Sequence, residues 1–196
     1  MNTELKIKSI LMMGILWMLA ACSPSTQLTK TWTDPSVKAS EFKPFTKVLV
    51  MSRLKDETGN RIAEDKLVAQ FKPGIAVQSY SYLQPGDSVA AAVDTKLQKD
   101  GFDGLVLMRL VEINKSLNVQ TTGYGGYYGY RYGGASTTVS EDKTFMVETT
   151  IFSIASGKML WSGTTSTLNP SSLEKAIDDI IAADKAQLIK QGLIKQ

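Results

Sequence analysis

No histidine occurs in the 196 residues, and there is a single cysteine. Without imidazole there is no Ser-His-Asp or Cys-His nucleophile system and no histidine metal site. One thiol cannot close an internal disulfide or build a cysteine-rich zinc site. Charge is nearly balanced, with 22 Lys and Arg against 19 Asp and Glu and a formal net charge of +3. That is too weak to draw nucleic acid as a partner. No G-x-x-x-x-G-K-[ST] phosphate loop and no G-x-S-x-G elbow are present. The acidic pairs Asp56-Glu57, Glu64-Asp65, Glu141-Asp142 and Asp178-Asp179 read as solvated charge. Neighbours on a strand point to opposite faces, whereas a glycosidase needs two carboxyls about 5–9 Å apart across a cleft. These absences argue against an enzyme and against a cofactor. No apolar run reaches the roughly 20 residues that span a bilayer as a helix.

What is present is the composition of a globular protein, 43% hydrophobic and 21% charged. Lys6 and Lys8 precede an apolar run from Ile10 to Ala21, which ends in Leu19-Ala20-Ala21-Cys22 and then Ser-Pro-Ser-Thr. In mid-chain such a run would read as a core helix. At the N-terminus, ahead of polar, proline-containing sequence, it reads as a secretory signal peptide over residues 1–21.

Leu19-Ala20-Ala21-Cys22 resembles the lipobox of bacterial lipoproteins, in which the cysteine becomes the first residue of the mature chain. The resemblance implies that Cys22 carries a diacylglycerol thioether and an amide-linked acyl chain such as palmitate. Each buried methylene contributes about 0.8 kcal/mol, so one chain binds marginally and two or more hold firmly. Ser23 stands where the family's inner-membrane retention signal has Asp, which implies an outer-membrane lipoprotein facing the periplasm.

Residues 22–44 are polar, contain Pro24, Pro35 and Pro44, and show no periodicity. They read as a lipidated tether reaching about 70 Å if fully extended. Trp32 is the exception, because an indole is costly to leave wet. Either it docks on the domain as a strap, or it contacts a partner.

A single α/β domain is expected over 45–196. Lys47 to Ser52 is a strand buried on both faces. Asn60 caps a helix to about Lys72, with Ala63, Leu67 and Phe71 on one face, and Pro73-Gly74 stops it. Ile75 to Tyr80 is a second strand. Asp87 caps a second helix striped by Val89, Val93 and Leu97 and ended by Gly101. Gly104 to Ile113 is a long strand. Phe145, Val147 and Ile151 alternate with Glu148 and Thr150, Ser156-Gly157-Lys158 turns the chain, and Met159 to Thr165 returns as a strand with Trp161 near its middle. The last helix opens at Asn169-Pro170 or on a Ser171/Glu174 capping box. Its stripe is Leu173, Ile177, Ile180, Ile181 and Leu188, and Asp178-Asp179 lies on its solvated side. The order β-α-β-α-β-β-β-α calls for helices packed on a mixed sheet.

Three segments, Lys47 to Ser52, Gly101 to Leu107 and Ser156 to Gly163, resemble the domain of several envelope lipoproteins. These are the curli-secretion channel lipoprotein and the outer-membrane activators of penicillin-binding proteins, and the resemblance implies their anticodon-binding-domain-like sheet.

Residues 123–134 read GYGGYYGYRYGG. Glycine this dense is costly to order. Its flanks, Ile113 to Thr121 and Thr137 to Val147, read as strands, so the segment is the tip of a protruding hairpin. It is either low-complexity sequence of no specific role or a contact loop built on Tyr124, Tyr127, Tyr128, Tyr130, Arg131 and Tyr132, since tyrosine suits adaptable binding surfaces. Pore-forming strands are disfavoured, because Lys115, Glu141 and Lys143 interrupt the apolar face and a charge at the bilayer midplane costs about 2–4 kcal/mol.

The expected role is that of a lipid-anchored, non-enzymatic envelope domain. It is held to the membrane through Cys22 and presents a surface to an envelope protein or peptidoglycan, with no nucleic acid. An oligomeric secretion or pore component, and a hydrolase acting on envelope polymer, are the alternatives.

Overall fold

The computed structural model describes residues 25–37, 44–83, 91–122 and 136–194. The expected signal peptide, Cys22, the expected cap Asp87, Val89 and the tyrosine–glycine segment lie outside the described residues. Strand β2 (Val48–Arg53) is covered on both sides, and its first five residues are buried. Val48 and Val50 face helices α1 (Glu57–Val68) and α4 (Leu173–Lys190) on one side of the sheet. Leu49 and Met51 pack with Leu97, on helix α3 (Ala91–Lys99), and with Phe102 and Ile154 on the other. A strand covered on both faces needs continuous apolar residues, which is what Val-Leu-Val-Met supplies.

Parallel to β2 lie β3 (Ala76–Gln78) and β4 (Gly104–Thr122). Antiparallel β5 (Ser136–Ser153), β6 (Lys158–Leu168) and β1 (Thr26–Thr33) complete a six-stranded mixed sheet in the order β1-β6-β5-β4-β2-β3. This is the mixed α+β sheet with packed helices that the sequence pattern calls for. Gly101 and Gly157 turn at φ +80° and +65°, where a side chain would be strained.

Three local readings change. Helix α1 starts at Asp56, not Asn60: the Asp56 carboxylate accepts the Gly59 N–H at 2.8 Å. The Asn60 side chain instead accepts the Leu54 N–H at 2.6 Å. The second strand is only three residues long, because Ser79–Tyr82 winds into a short helix, α2. Helix α4 uses neither Asn169-Pro170 nor Ser171 as its cap. Ser172 takes that place, accepting the Lys175 N–H at 3.1 Å. Asn169 sits at φ 43° and clips the turn to β5, donating to Asp142 at 2.7 Å and accepting the Lys143 N–H at 2.8 Å.

The largest correction concerns the tether. Thr26–Thr33, within the residues read as a tether with Trp32 as a strap or a partner contact, is the edge strand of the sheet, antiparallel to β6. Thr26 is buried and its hydroxyl meets that of Thr167 at 2.9 Å. The strap places Trp32 opposite Ser162, yet the indole remains 44% exposed. Among the described residues no helix is long and apolar enough to cross a membrane.

Candidate functional site

Strand β4 pairs with β2 only as far as Arg109, and β5 pairs with β6 only from Thr144 onward. Beyond those points Lys115 to Thr122 and Ser136 to Lys143 pair with each other and, among the described residues, with no third strand. The result is a two-stranded ribbon about 25 Å long at ~3.4 Å per residue. A register shift at Val111 puts Ile113 beside Phe145, on the face that carries Val147. That bulge bends the arm as it leaves the sheet.

Leu117 is 71% and Val139 59% exposed, both on the ribbon. An isolated two-stranded ribbon is marginal in water, so exposed apolar side chains on one call for a contact. At its root Lys115 pairs with Glu141 at 3.0 Å, and Lys143 approaches the same carboxylate at 4.0 Å. The Lys115 hydrogen bond and charge, aided by Lys143, hold the Glu141 carboxyl below its usual range. The three charges that interrupt the apolar face are thus gathered into one cluster. The sequence-predicted contact residues Tyr124, Tyr127, Tyr128, Tyr130, Arg131 and Tyr132 fall beyond the ribbon, outside the described residues, as does Cys22.

Two concavities lie at the same end of the sheet. An apolar groove of about 490 Å³ opens at the ribbon's root, between β4–β5 and the first turns of α1 and α4. A polar crevice of about 300 Å³ lies where the chain leaves β2 for α1 on one face and β3 for α2 and α3 on the other. Such a divergence at the carboxyl ends of parallel strands opens a crevice. Its wall is Glu64, which is 2% exposed and was missed as solvated charge. Its carboxylate accepts the Ser52 N–H at 2.9 Å, the Ser79 hydroxyl at 2.8 Å and the Tyr80 N–H at 3.3 Å. Glu57 pairs with Arg61 at 3.0 Å across the crevice mouth. Glu64 thus ties β2, α1 and α2 together, whereas Glu57 makes an exposed pair within α1. Among the described residues, no group of three or more His, Cys, Asp or Glu could hold a metal ion.

A second missed acid is Asp184 on α4, 5% exposed with neither oxygen hydrogen-bonded. Burial pushes its carboxyl up to about 7, and the Thr149 hydroxyl, which faces it without closing a bond of normal geometry, offsets part of the effect. The one sequence signal for either acid is its spacing from apolar neighbours: Glu64 follows Ala63, and Asp184 continues the series Ile177, Ile180, Ile181.

No family model matches the chain, and no curated protein matches it. Among solved structures, the PelC dodecamer from Paraburkholderia phytofirmans is 15% identical with a TM-score of 0.43, over 87% of this chain and 99% of that one. Lipoprotein GNA1162 from Neisseria meningitidis is 15% identical with a TM-score of 0.42, over 74% of this chain and 99% of that one. TolB from Acinetobacter baumannii is 12% identical with a TM-score of 0.34, over 85% of this chain but 31% of its own. At these scores the likeness carries no conclusion about the role of this chain.

Proposed function

We propose that this is a lipid-anchored, non-enzymatic protein of the bacterial envelope, fixed through Cys22 to the outer membrane, facing the periplasm, and presenting the β4–β5 ribbon to an envelope partner. The observation that carries the reading is the ribbon itself. It leaves the sheet with Leu117 and Val139 exposed, and the chain places five tyrosines between its strands. Rings with few rotatable bonds lose little entropy on contact. The partner is a protein or peptidoglycan surface rather than nucleic acid, since one arginine in the segment gives little attraction for phosphate.

The anchor lies close to this arm. Only Ser23, Pro24 and Ser25 separate Cys22 from Thr26, and β1 begins at the end of the sheet from which the ribbon departs. The domain is therefore held against its membrane, not hung from a long linker.

Two measurements test this. Intact mass of the native product is expected to show cleavage before Cys22 and the added lipid; an unmodified thiol would overturn the anchor. A photo-crosslinking residue at Leu117 or Tyr128 in intact cells is expected to capture one envelope component. Replacing residues 123–134 by an Asn-Gly turn is expected to abolish capture from Leu117 and leave the far-ultraviolet spectrum unchanged. Undiminished capture would reject the ribbon tip as the contact.

A further inference from the structure

We propose that the apolar groove at the ribbon's root is a lipid site, and that its occupant is an acyl chain carried by Cys22. The inference rests on the lipoprotein reading above and goes beyond it, because an anchor needs only a bilayer. The walls are Leu54, Ile113, Phe145, Leu173, Ala176 and Ile177, and polar groups such as Lys143 and Asn169 lie among the remaining lining residues. Ile113 and Leu173 are 38% and 42% exposed, and neighbouring Leu168 is 48% exposed. A concavity of about 490 Å³ with this lining suits a hydrocarbon chain and offers few polar partners.

The chain itself brings the lipid there. Thr167 lines the groove, and its hydroxyl is bonded to that of Thr26. The Leu168 N–H donates to the Ser25 carbonyl at 2.9 Å. Cys22 precedes Ser25 by three residues, so it cannot lie more than about 11 Å from this point however the backbone runs. A ligand tethered by so short a link has an effective concentration in the millimolar range, and a site of modest affinity is then filled. Each methylene kept from water contributes about 0.8 kcal/mol in the groove as it does in a bilayer, so the short tether, and not burial alone, favours the groove. A second copy of the chain or an apolar segment of another protein has no comparable tether to the groove.

The test uses the full chain, produced in a bacterial host with lipoprotein processing and fed a diazirine-bearing fatty acid, then purified in detergent. Intact mass is read first. If Cys22 is unacylated, the anchor reading falls and this proposal falls with it. If Cys22 is acylated, irradiation is expected to link the acyl chain to the peptides holding Ile113, Phe145 or Leu173–Ile177 of the same molecule. Ala176→Phe, which fills the groove, and Leu173→Asp, which charges its rim, are each expected to reduce that product at least about tenfold. Leu173 is exposed and opens a helix, where an acidic side chain is tolerated. Acylated protein whose probe links only to detergent, to other peptides or to a second copy would overturn the groove assignment while leaving the anchor intact. Undiminished groove products in both variants would overturn it as well.

Discussion

At the scale of single residues, the two buried acids behave in opposite ways. Asp184 has no hydrogen-bond partner, and its carboxyl titrates near 7 instead of the ordinary 3.8. The folded state therefore binds the proton more tightly than the unfolded chain. Stability falls as pH rises from about 4 to about 7, and the loss is complete above that window. At 1.36 kcal/mol per unit the full effect is about 4 kcal/mol. Asp184→Asn is expected to flatten this slope and to leave the variant more stable than the parent at pH 8. Urea titrations at pH 5 and pH 8 check it, and an unchanged slope would show that the acid is solvated. Glu64, by contrast, holds together β2, α1 and the start of α2. Glu64→Leu strands the Ser52 N–H and the Ser79 hydroxyl and is expected to cost about 2–4 kcal/mol, with Glu64→Gln costing roughly half, because the amide oxygen still accepts. Thermal unfolding of the two variants separates them. Neither acid was legible as buried, because a carboxylate beside apolar residues on a helix looks the same in sequence whether its side chain turns inward or out.

At the scale of elements, legibility followed the chemistry of the buried face. Val48 to Met51, Val106 with Met108, and Ile177 with Ile180 and Ile181 carry apolar periodicity and were placed correctly. Strand β1 was legible only as a strap at Trp32, for a physical reason. The surface it completes is made of threonine: Thr26, Thr165 and Thr167 are buried at 4%, 0% and 0% exposure. Threonine is β-branched and packs well on a pleated surface, yet it registers as polar in any hydrophobic pattern, so Thr-Gln-Leu-Thr-Lys-Thr reads as linker. The helix starts erred for a related reason. Asp56 and Asn60 are both good caps, as are Ser171 and Ser172, and only the tertiary position of the preceding loop chooses between them. The strand assignment predicts a coupling. Thr167→Val breaks the Thr26–Thr167 hydroxyl pair and is expected to cost about 1–3 kcal/mol, whereas Thr26→Val with Thr167→Val is expected to be nearly neutral, as both partners become apolar at constant shape. In a chain whose residues 23–33 are replaced by glycine and serine, Thr167→Val alone is expected to cost nothing beyond that replacement. Denaturant titration of these four variants and the parent chain measures the coupling, and additive effects would return residues 26–33 to the linker.

For the whole molecule, the strand pairings put unlike features at one end. The start of β1, the root of the ribbon, the apolar groove and the polar crevice all gather where β2 and β4 point, while the Ser156–Lys158 turn marks the far end of β6. Lys158 and Leu168 bound β6, a separation of about 34 Å at ~3.4 Å per residue. With a lipid on Cys22, the three residues to Ser25 allow the anchored end to rise only about 11 Å from the headgroups. The ribbon then lies along the membrane or meets it, and its partner must be sought at that surface. A free linker over 22–44 would instead let the domain tumble at up to about 70 Å. These pictures differ in one observable. A fluorophore at Ser171, beside the anchored end, is expected to be quenched by headgroup-attached quenchers in vesicles holding the lipidated chain, and one at Ser156 is expected to be quenched far less. Inserting twenty glycine and serine residues between Ser23 and Ser25 should erase the difference by freeing the domain to rotate. Equal quenching at the two positions in the parent chain would mean that β1 detaches on the membrane. The short reach then fails, and with it the case for a partner confined to the membrane surface.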